Sequence, residues 1–335
     1  MIKPVFTIKL RNQQITFLLV SILAVVVVLI HMSCSGKKRA PSVGDNGLKI
    51  FMLWDMEGAS GLFNKEEIWY WEEGVPKEVG MKGCEYLTAE VNAAAQAAFD
   101  AGVDTLIICD THHGGNNIIP EKLISDPRII FLPRSVGYEN GRRRWMPGLD
   151  ETVDGFMVMA HHAKAGTEGA FLHHTQNLSW ADFIINGQSV GEMGIESCYA
   201  GHWNIPVIMA TGDDYCCREA EQQFPGIVTA EVKRAVNYEK ASGVSPGEAH
   251  KLIAGKVTEA IRKLESGHKF TIYRPELPMT VSLRMTTPDA AGRTAERYSA
   301  RLIDQYTLQA QVNQHCDVIK WISGTGPDMP PEEKR

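Results

Sequence analysis

Hydrophobic positions in this chain fall into short continuous runs separated by stretches with a helical period. Ile50–Trp54, Asp104–Cys109, Ile129–Leu132, Gly155–Ala160 and Ile205–Thr211 are short and largely apolar, the pattern of strands buried on both faces. Tyr86–Ala101 is Ala-rich, helical in spacing and stopped by Gly102, and Glu192–Ala200 and Pro246–Leu264 read as further helices. Asn186-Gly187, between Asp182–Ile185 and Gln188–Val190, is the strongest hairpin signal in the chain. Strands alternating with helices predict an α/β fold, with a largely parallel sheet flanked by helices. Beyond Tyr238 a helix, a strand pattern near Phe270–Met285 and a helix–strand pair up to Val312 predict a smaller C-terminal α+β lobe. The folded unit is therefore expected over 48–325, with an α/β part at 48–215, the lobe at 216–325, and a polar tail at 326–335. Leu62–Gly80 interrupts the alternation as a long polar excursion with one helical turn. It carries Trp69-Tyr70-Trp71, aromatics that either cover a site or pack the loop on itself.

The first 34 residues stand apart. Lys3, Lys9 and Arg11 precede an uncharged, apolar Ile15–Ile30, and small residues surround Cys34. The segment is short for a membrane span and reads as a secretory signal of the bacterial lipoprotein type, with Cys34 lipidated after processing. His31 departs from that pattern, and an uncleaved N-terminal anchor is the alternative reading. In both cases the body is expected to be exported and membrane-tethered on the periplasmic side of the cell envelope, with residues 35–47 as a polar tether. The chain of 335 residues is 44% hydrophobic and 22% charged, enough for a large globular core. Its net charge of −6 gives no support for a nucleic-acid partner, and the run Arg142-Arg143-Arg144 stands alone. The six cysteines after Cys34 form neither a disulfide framework nor CxxC pairs.

The chemistry gathers where the apolar runs end. Ile50–Trp54 stops at Asp55-Met56-Glu57-Gly58; an i, i+2 spacing in extended chain sends both carboxylates to one face, where they repel unless a cation lies between them. Of eleven histidines, six form three adjacent pairs between residues 112 and 174. Two of these pairs directly follow apolar runs. The carboxyl ends of strands in an open α/β sheet form its ligand crevice. Asp55, Glu57, His112 or His113, and His161 or His162 would meet there, with Glu192 joining from the start of its helix. Carboxylate and imidazole donors suit a borderline divalent ion such as Zn²⁺. Three carboxylates and at least two histidines exceed the needs of one ion and point to two, roughly 3.5–4 Å apart with a shared Asp. Asp110 and Asn116 are candidates for orienting His112 and its loop, although Asn116-Asn117 reads equally as a turn. Asp213-Asp214 reads as a cap for the following helix.

DMEGASG at 55–61, CDTHHGGNN at 109–117, AHHAKAGT from 160, INGQSVGE at 185–192 and ATGDD at 210–214 together resemble peptidase family M55, the D-aminopeptidases. The likeness spans roughly 48–320, with the blocks in family order. It implies a zinc pair per chain held by Asp55, Glu57, His112, His162 and Glu192, with Asp55 shared. It places the family's catalytic histidine, which shuttles a proton or stabilises the oxyanion, on His173. It implies short peptides with an N-terminal D-residue as substrates, and assembly into homo-oligomeric rings. On an exported protein the substrate would be peptidoglycan-derived, of the D-Ala-D-Ala kind. The long Leu62–Gly80 segment and one extra residue between His173 and Glu192 depart from the family pattern. Other metallohydrolase substrates, L-peptides or phosphoesters among them, and a non-catalytic peptide-binding lipoprotein are the competing expectations.

Overall fold

The computed structural model describes residues 47–133 and 145–323; the N-terminal segment, Arg142–Arg144 and the tail 326–335 lie outside them. In chain order the elements are β1 (Lys49–Trp54), α1 (Lys65–Ile68), α2 (Lys77–Asp100), β2 (Thr105–Asp110), β3 (Ile129–Phe131) and β4 (Gly155–His161). There follow β5 (Trp180–Ile185), β6 (Gln188–Val190), α3 (Glu192–Gly201), β7 (Val207–Asp213), α4 (Asp214–Gln223), β8 (Val228–Asn237) and β9 (Lys240–Gly243). The C-terminal elements are α5 (Pro246–Glu265), β10 (Met279–Met285), α6 (Pro288–Tyr298), β11 (Arg301–Leu302), β12 (Thr307–Val312) and α7 (Lys320–Ser323).

A seven-stranded sheet in the order β3-β2-β1-β4-β7-β8-β9 is parallel except for β9. β1 buries both faces: Ile50, Met52 and Trp54 pack with α2 and α5, through residues such as Leu87, Val91, Ile253 and Val257. Phe51 and Leu53 face the opposite core, shared with α3 and the second sheet through Tyr199, Phe183 and Leu283. Alternation between two apolar layers explains why the run carries no polar positions. Strand order reverses at β1, with β2 and β3 on one side and β4, β7 and β8 on the other. The β1/β4 junction is therefore the topological switch point.

The second sheet, β11-β12-β10-β5-β6, is antiparallel. It does not respect the boundary expected at 215. The β5–β6 hairpin pairs with β10 (Phe183 opposite Leu283), while β8 and β9 complete the first sheet. Asn186 and Gly187, both at positive φ, make the expected hairpin turn. The strand near Phe270 begins only at Met279; Pro275 and Pro278 keep the preceding stretch irregular. Helix α2 starts within the excursion, well before Tyr86. Gly83 hides this start from propensity, yet a Cβ there would lie 2.4 Å from the Glu67 carbonyl, so the helix needs glycine where α1 crosses it.

The turn after β1 continues the ladder: Asp55 N donates to Met159 O at 3.0 Å and Gly58 N to Ala160 O at 2.7 Å. A Cβ on Gly58 would meet His161 O at 2.2 Å, a backbone contact that cannot yield. Gly58→Ala should therefore destabilise the protein by about 2–3 kcal/mol, in line with overpacking a closed interior. Urea unfolding of variant and parent checks this.

Candidate metal centre

Three adjacent parallel strands deliver the centre. Asp55 and Glu57 follow β1, His112 follows β2, and His161 and His162 end and follow β4. All are buried: Asp55 is 5% exposed, Glu57 1%, His112 4%, His161 1% and His162 3%. Neighbouring residues on a regular strand point to opposite faces. At the end of β4 this rule is broken by a register shift against β7 and by Ala160, whose φ is 54°. Both histidines of the pair consequently reach the cluster, and their rings stack at 5.1 Å. Such a non-glycine residue in left-handed conformation is strained and persists where the surroundings over-determine it; here Ala160 N donates to Thr211 Oγ1.

The donors meet in overlapping groups. His112 Nδ1 lies 2.9 Å from Asp55 Oδ1 and 3.0 Å from Glu57 Oε2. His162 Nε2 lies 3.4 Å from both Asp55 Oδ2 and Glu192 Oε1. Glu192 is the first residue of α3, where the helix dipole favours a carboxylate, and it accepts from the backbone and side chain of Gln176. His161 Nε2 lies 3.1 Å from Glu196 Oε2, one turn further along α3, and 3.9 Å from Asp55.

The third histidine pair divides differently from expectation. His174, not His173, faces the cluster: its ring stacks on His162 at 4.0 Å and its Nε2 lies 3.5 Å from Glu192. His173 turns away to an edge contact with Tyr238 at 5.0 Å. Leu172, at positive φ, sets this orientation while its NH donates to Tyr238 O. The loop after β2 also departs by one residue. Asn116 is exposed, and the orienting contacts belong to Asn117, whose Nδ2 donates to Asp110 Oδ1 and to His112 O. Asp110 accepts from the backbone NH of Asn117 and Ile118 as well, which closes the loop under His112. Asp213 accepts from Cys216 N as the cap of α4, as expected.

Two supports have no counterpart in the motifs. Trp69 Nε1 donates to Glu57 Oε1 at 2.7 Å. Lys233 on β8, fully buried, donates to the carbonyls of Glu57 and Leu62 at 2.8 and 2.5 Å. Nothing in the local pattern VKRAV separates this lysine from a surface one. Glu90 on α2 completes the brace by accepting from Ser60 N.

Electrostatics follow from this crowding. Burial alone would raise Asp55, but hydrogen bonds from His112 and His162 hold it well below the usual carboxylate range. Glu57 is lowered against burial and Asp55 repulsion by His112, and Glu192 falls to about 2, against burial, through His162. Burial depresses His112 and His162, yet the facing carboxylates carry both well above the usual imidazole value. The cluster thus demands positive charge. Glu57 Oε2 and His162 Nε2 are buried and, beyond their close ionic contacts, make no well-aligned hydrogen bond, a crowding of donor atoms that a bound cation would relieve. Two groups of donors each include Asp55, namely Asp55–Glu57–His112 and Asp55–His161–His162.

An α/β sheet with buried carboxylates and imidazoles at its switch point, opening on a cleft, defines the class of metal-dependent enzymes. Residues 48–324 match the D-aminopeptidase family Peptidase M55, and the chain belongs to that family. It is 31% identical over 218 residues to a D-aminopeptidase of Bacillus subtilis (strain 168), covering 64% of this chain and 74% of that protein. The solved structure described as Zn-dependent D-aminopeptidase DppA from Bacillus subtilis, a self-compartmentalizing protease, matches with a TM-score of 0.72. It shares 26% identity, over 82% of this chain and 95% of that one.

The His161–Glu196 pair makes a pH-dependent contribution that can be isolated. Burial lowers His161, but Glu196 raises it to about 9, from an ordinary 6.5. A folded-state value above the unfolded one gives stability that is fully present below pH 6.5 and lost as pH rises through about 9. In metal-stripped protein, the stability gap between parent and Glu196→Gln should be largest below pH 6.5 and shrink toward pH 9. Urea unfolding across that range measures it, and a flat gap would contradict the pairing.

Proposed function

We propose that this chain is a zinc-dependent aminopeptidase that releases an N-terminal D-amino acid from short peptides such as D-Ala-D-Ala. The observation that carries the reading is the sharing of Asp55 between two buried donor groups in a chain of this family. Two zinc ions would be held by Asp55, Glu57, His112, His162 and Glu192, with Asp55 common to both. The carboxylate–imidazole chemistry and the convergence of these donor atoms within one buried cluster fit zinc. When bound, zinc supplies a Lewis acid that polarises the scissile carbonyl and acidifies water.

The protein's own groups do the rest. His174 Nδ1 lies 2.8 Å from the carbonyl of Leu172, which only accepts, so Nδ1 carries the proton. Burial and His162 lower the His174 pKa, which favours a neutral ring whose Nε2, beside Glu192 and within reach of Glu57 and His162, is the nitrogen able to accept a proton. Such a group takes the proton of the attacking water and returns it to the leaving amine. Gln176 fixes Glu192 by two hydrogen bonds, and Trp69 fixes Glu57, so the metal-holding carboxylates do not reorganise during the reaction. The D-preference is supported by the family description alone. The relative described as self-compartmentalizing supports a homo-oligomer. Export, and tethering through lipidated Cys34 or an uncleaved apolar segment, rest on the sequence of residues 1–34 and direct the reading to peptidoglycan-derived peptides.

The purified chain should carry about two zinc ions and cleave D-Ala-D-Ala in preference to L-Ala-L-Ala. Chelation should abolish turnover and zinc restore it. Metal analysis together with paired dipeptide assays decides this: no bound zinc would remove the centre, and L-selective turnover would remove the substrate assignment. His174→Ala should lower kcat by about 10²–10³ with zinc retained, and His173→Ala should cost less. The opposite ranking would return the catalytic role to His173.

A further inference from the structure

The cleft over the metal centre has one wall that the catalytic reading does not use. Its cavity of about 240 Å³ is floored by Asp55, Glu57, His112 and Glu192, and its rim carries Trp71 and Leu178. Pockets for drug-sized ligands run to about 300–1,000 Å³, so this space suits a very short peptide. Most large apolar side chains of the fold are buried, whereas Trp71 is 43% exposed and Leu178 57%. Both line this cleft, set among polar neighbours such as Glu72 and Asn177.

Trp71 is held rather than loose. Its ring stacks on His113 at 4.2 Å with planes 13° apart, and lies 5.3 Å from the ring of His112. Tyr70 braces it from behind by an edge contact at 5.6 Å and is itself fixed by donating its hydroxyl to Asn117 Oδ1 at 2.6 Å. The excursion 62–80 therefore does not merely pack on itself. It carries an indole to the side of an imidazole that touches both Asp55 and Glu57, on the lining of the cleft above them.

We infer that Trp71, stacked on His113, is the specificity-determining wall of the cleft and restricts the enzyme to di- and tripeptides with small, alanine-sized side chains. This rests on the aminopeptidase reading for the reaction, but not for the preference itself. A hydrophobic wall discriminates by volume, and each excluded or admitted methylene group is worth roughly 10–200-fold. On this reading a bulky side chain entering the cleft meets the indole, which can make room only by giving up its stack on His113.

The test compares D-Ala-D-Ala with D-Phe-D-Ala and D-Ala-D-Phe on the zinc-loaded parent, Trp71→Ala and Trp71→Phe. The parent should favour D-Ala-D-Ala over both aromatic peptides by about tenfold or more in kcat/KM. Trp71→Ala should bring at least one aromatic peptide close to D-Ala-D-Ala, and Trp71→Phe should fall between, with zinc content held throughout. Calorimetric titration of the same peptides into metal-stripped protein reads the preference without turnover. An unchanged small-over-aromatic ratio in Trp71→Ala, or a parent that takes aromatic peptides equally well, would overturn the inference. A parent that binds with the small-residue preference but cleaves no D-peptide would sink the aminopeptidase reading and leave the wall standing.

Discussion

The structure turns on one electrostatic constraint: several carboxylates packed together, largely buried, at the end of a parallel sheet. Asp55, Glu57 and Glu192 are each driven toward protonation by burial and held ionised chiefly by the imidazoles of His112 and His162. Removing charge from water is costly enough that such groups survive only when compensated. The fold supplies compensation from three strands and one helix N-terminus at once. This is why the centre sits at the β1/β4 switch point, where two strand ends part and a crevice opens.

A second layer of fixed dipoles keeps that balance in place. Lys233 reaches from β8 to the Glu57 carbonyl, and burial depresses it to about 8. Its position near Glu90 and Asp213 links the Asp-Met-Glu-Gly turn to α2 and to the end of β7. The turn carrying two of the donors is thereby tied to the sheet and to the α2 layer. Asn117 does the same for His112 through Asp110. These contacts hold the donors in a rigid arrangement, so binding energy goes to the ligand rather than to ordering the site.

The excursion after β1 is the part in which this chain speaks for itself. Its aromatic triplet does three separate jobs: Trp69 bonds a metal-site carboxylate, Tyr70 bonds the loop of Asn117, and Trp71 walls the cleft. Three consecutive residues can serve three partners because the segment leaves α1 in irregular conformation, free of a helix or strand period.

Much was legible in the sequence. The apolar runs identified β1, β2, β4 and β7 because a strand buried on both faces has no polar position to confuse it. The Asn-Gly hairpin, the helix beginning at Glu192 and the arrival of Asp55, Glu57, one or both histidines of each of two pairs, and Glu192 at one edge follow from local pattern plus the geometry of parallel sheets; the preference for His112 and His162 within their pairs comes from the family resemblance. What local pattern does not contain is long-range pairing and backbone irregularity. The sheet membership of β5–β6 and of β8–β9 depends on partners about a hundred residues away for the one and on the open edge of the first sheet for the other. The choice of His174 over His173, and of Asn117 over Asn116, rests on single-residue turns of the backbone at Leu172 and within the loop after β2. The presence of both His161 and His162 in the cluster rests on the bulge at Ala160. Composition fixes which chemistries are available; only the folded backbone decides which of two neighbouring side chains points into the site.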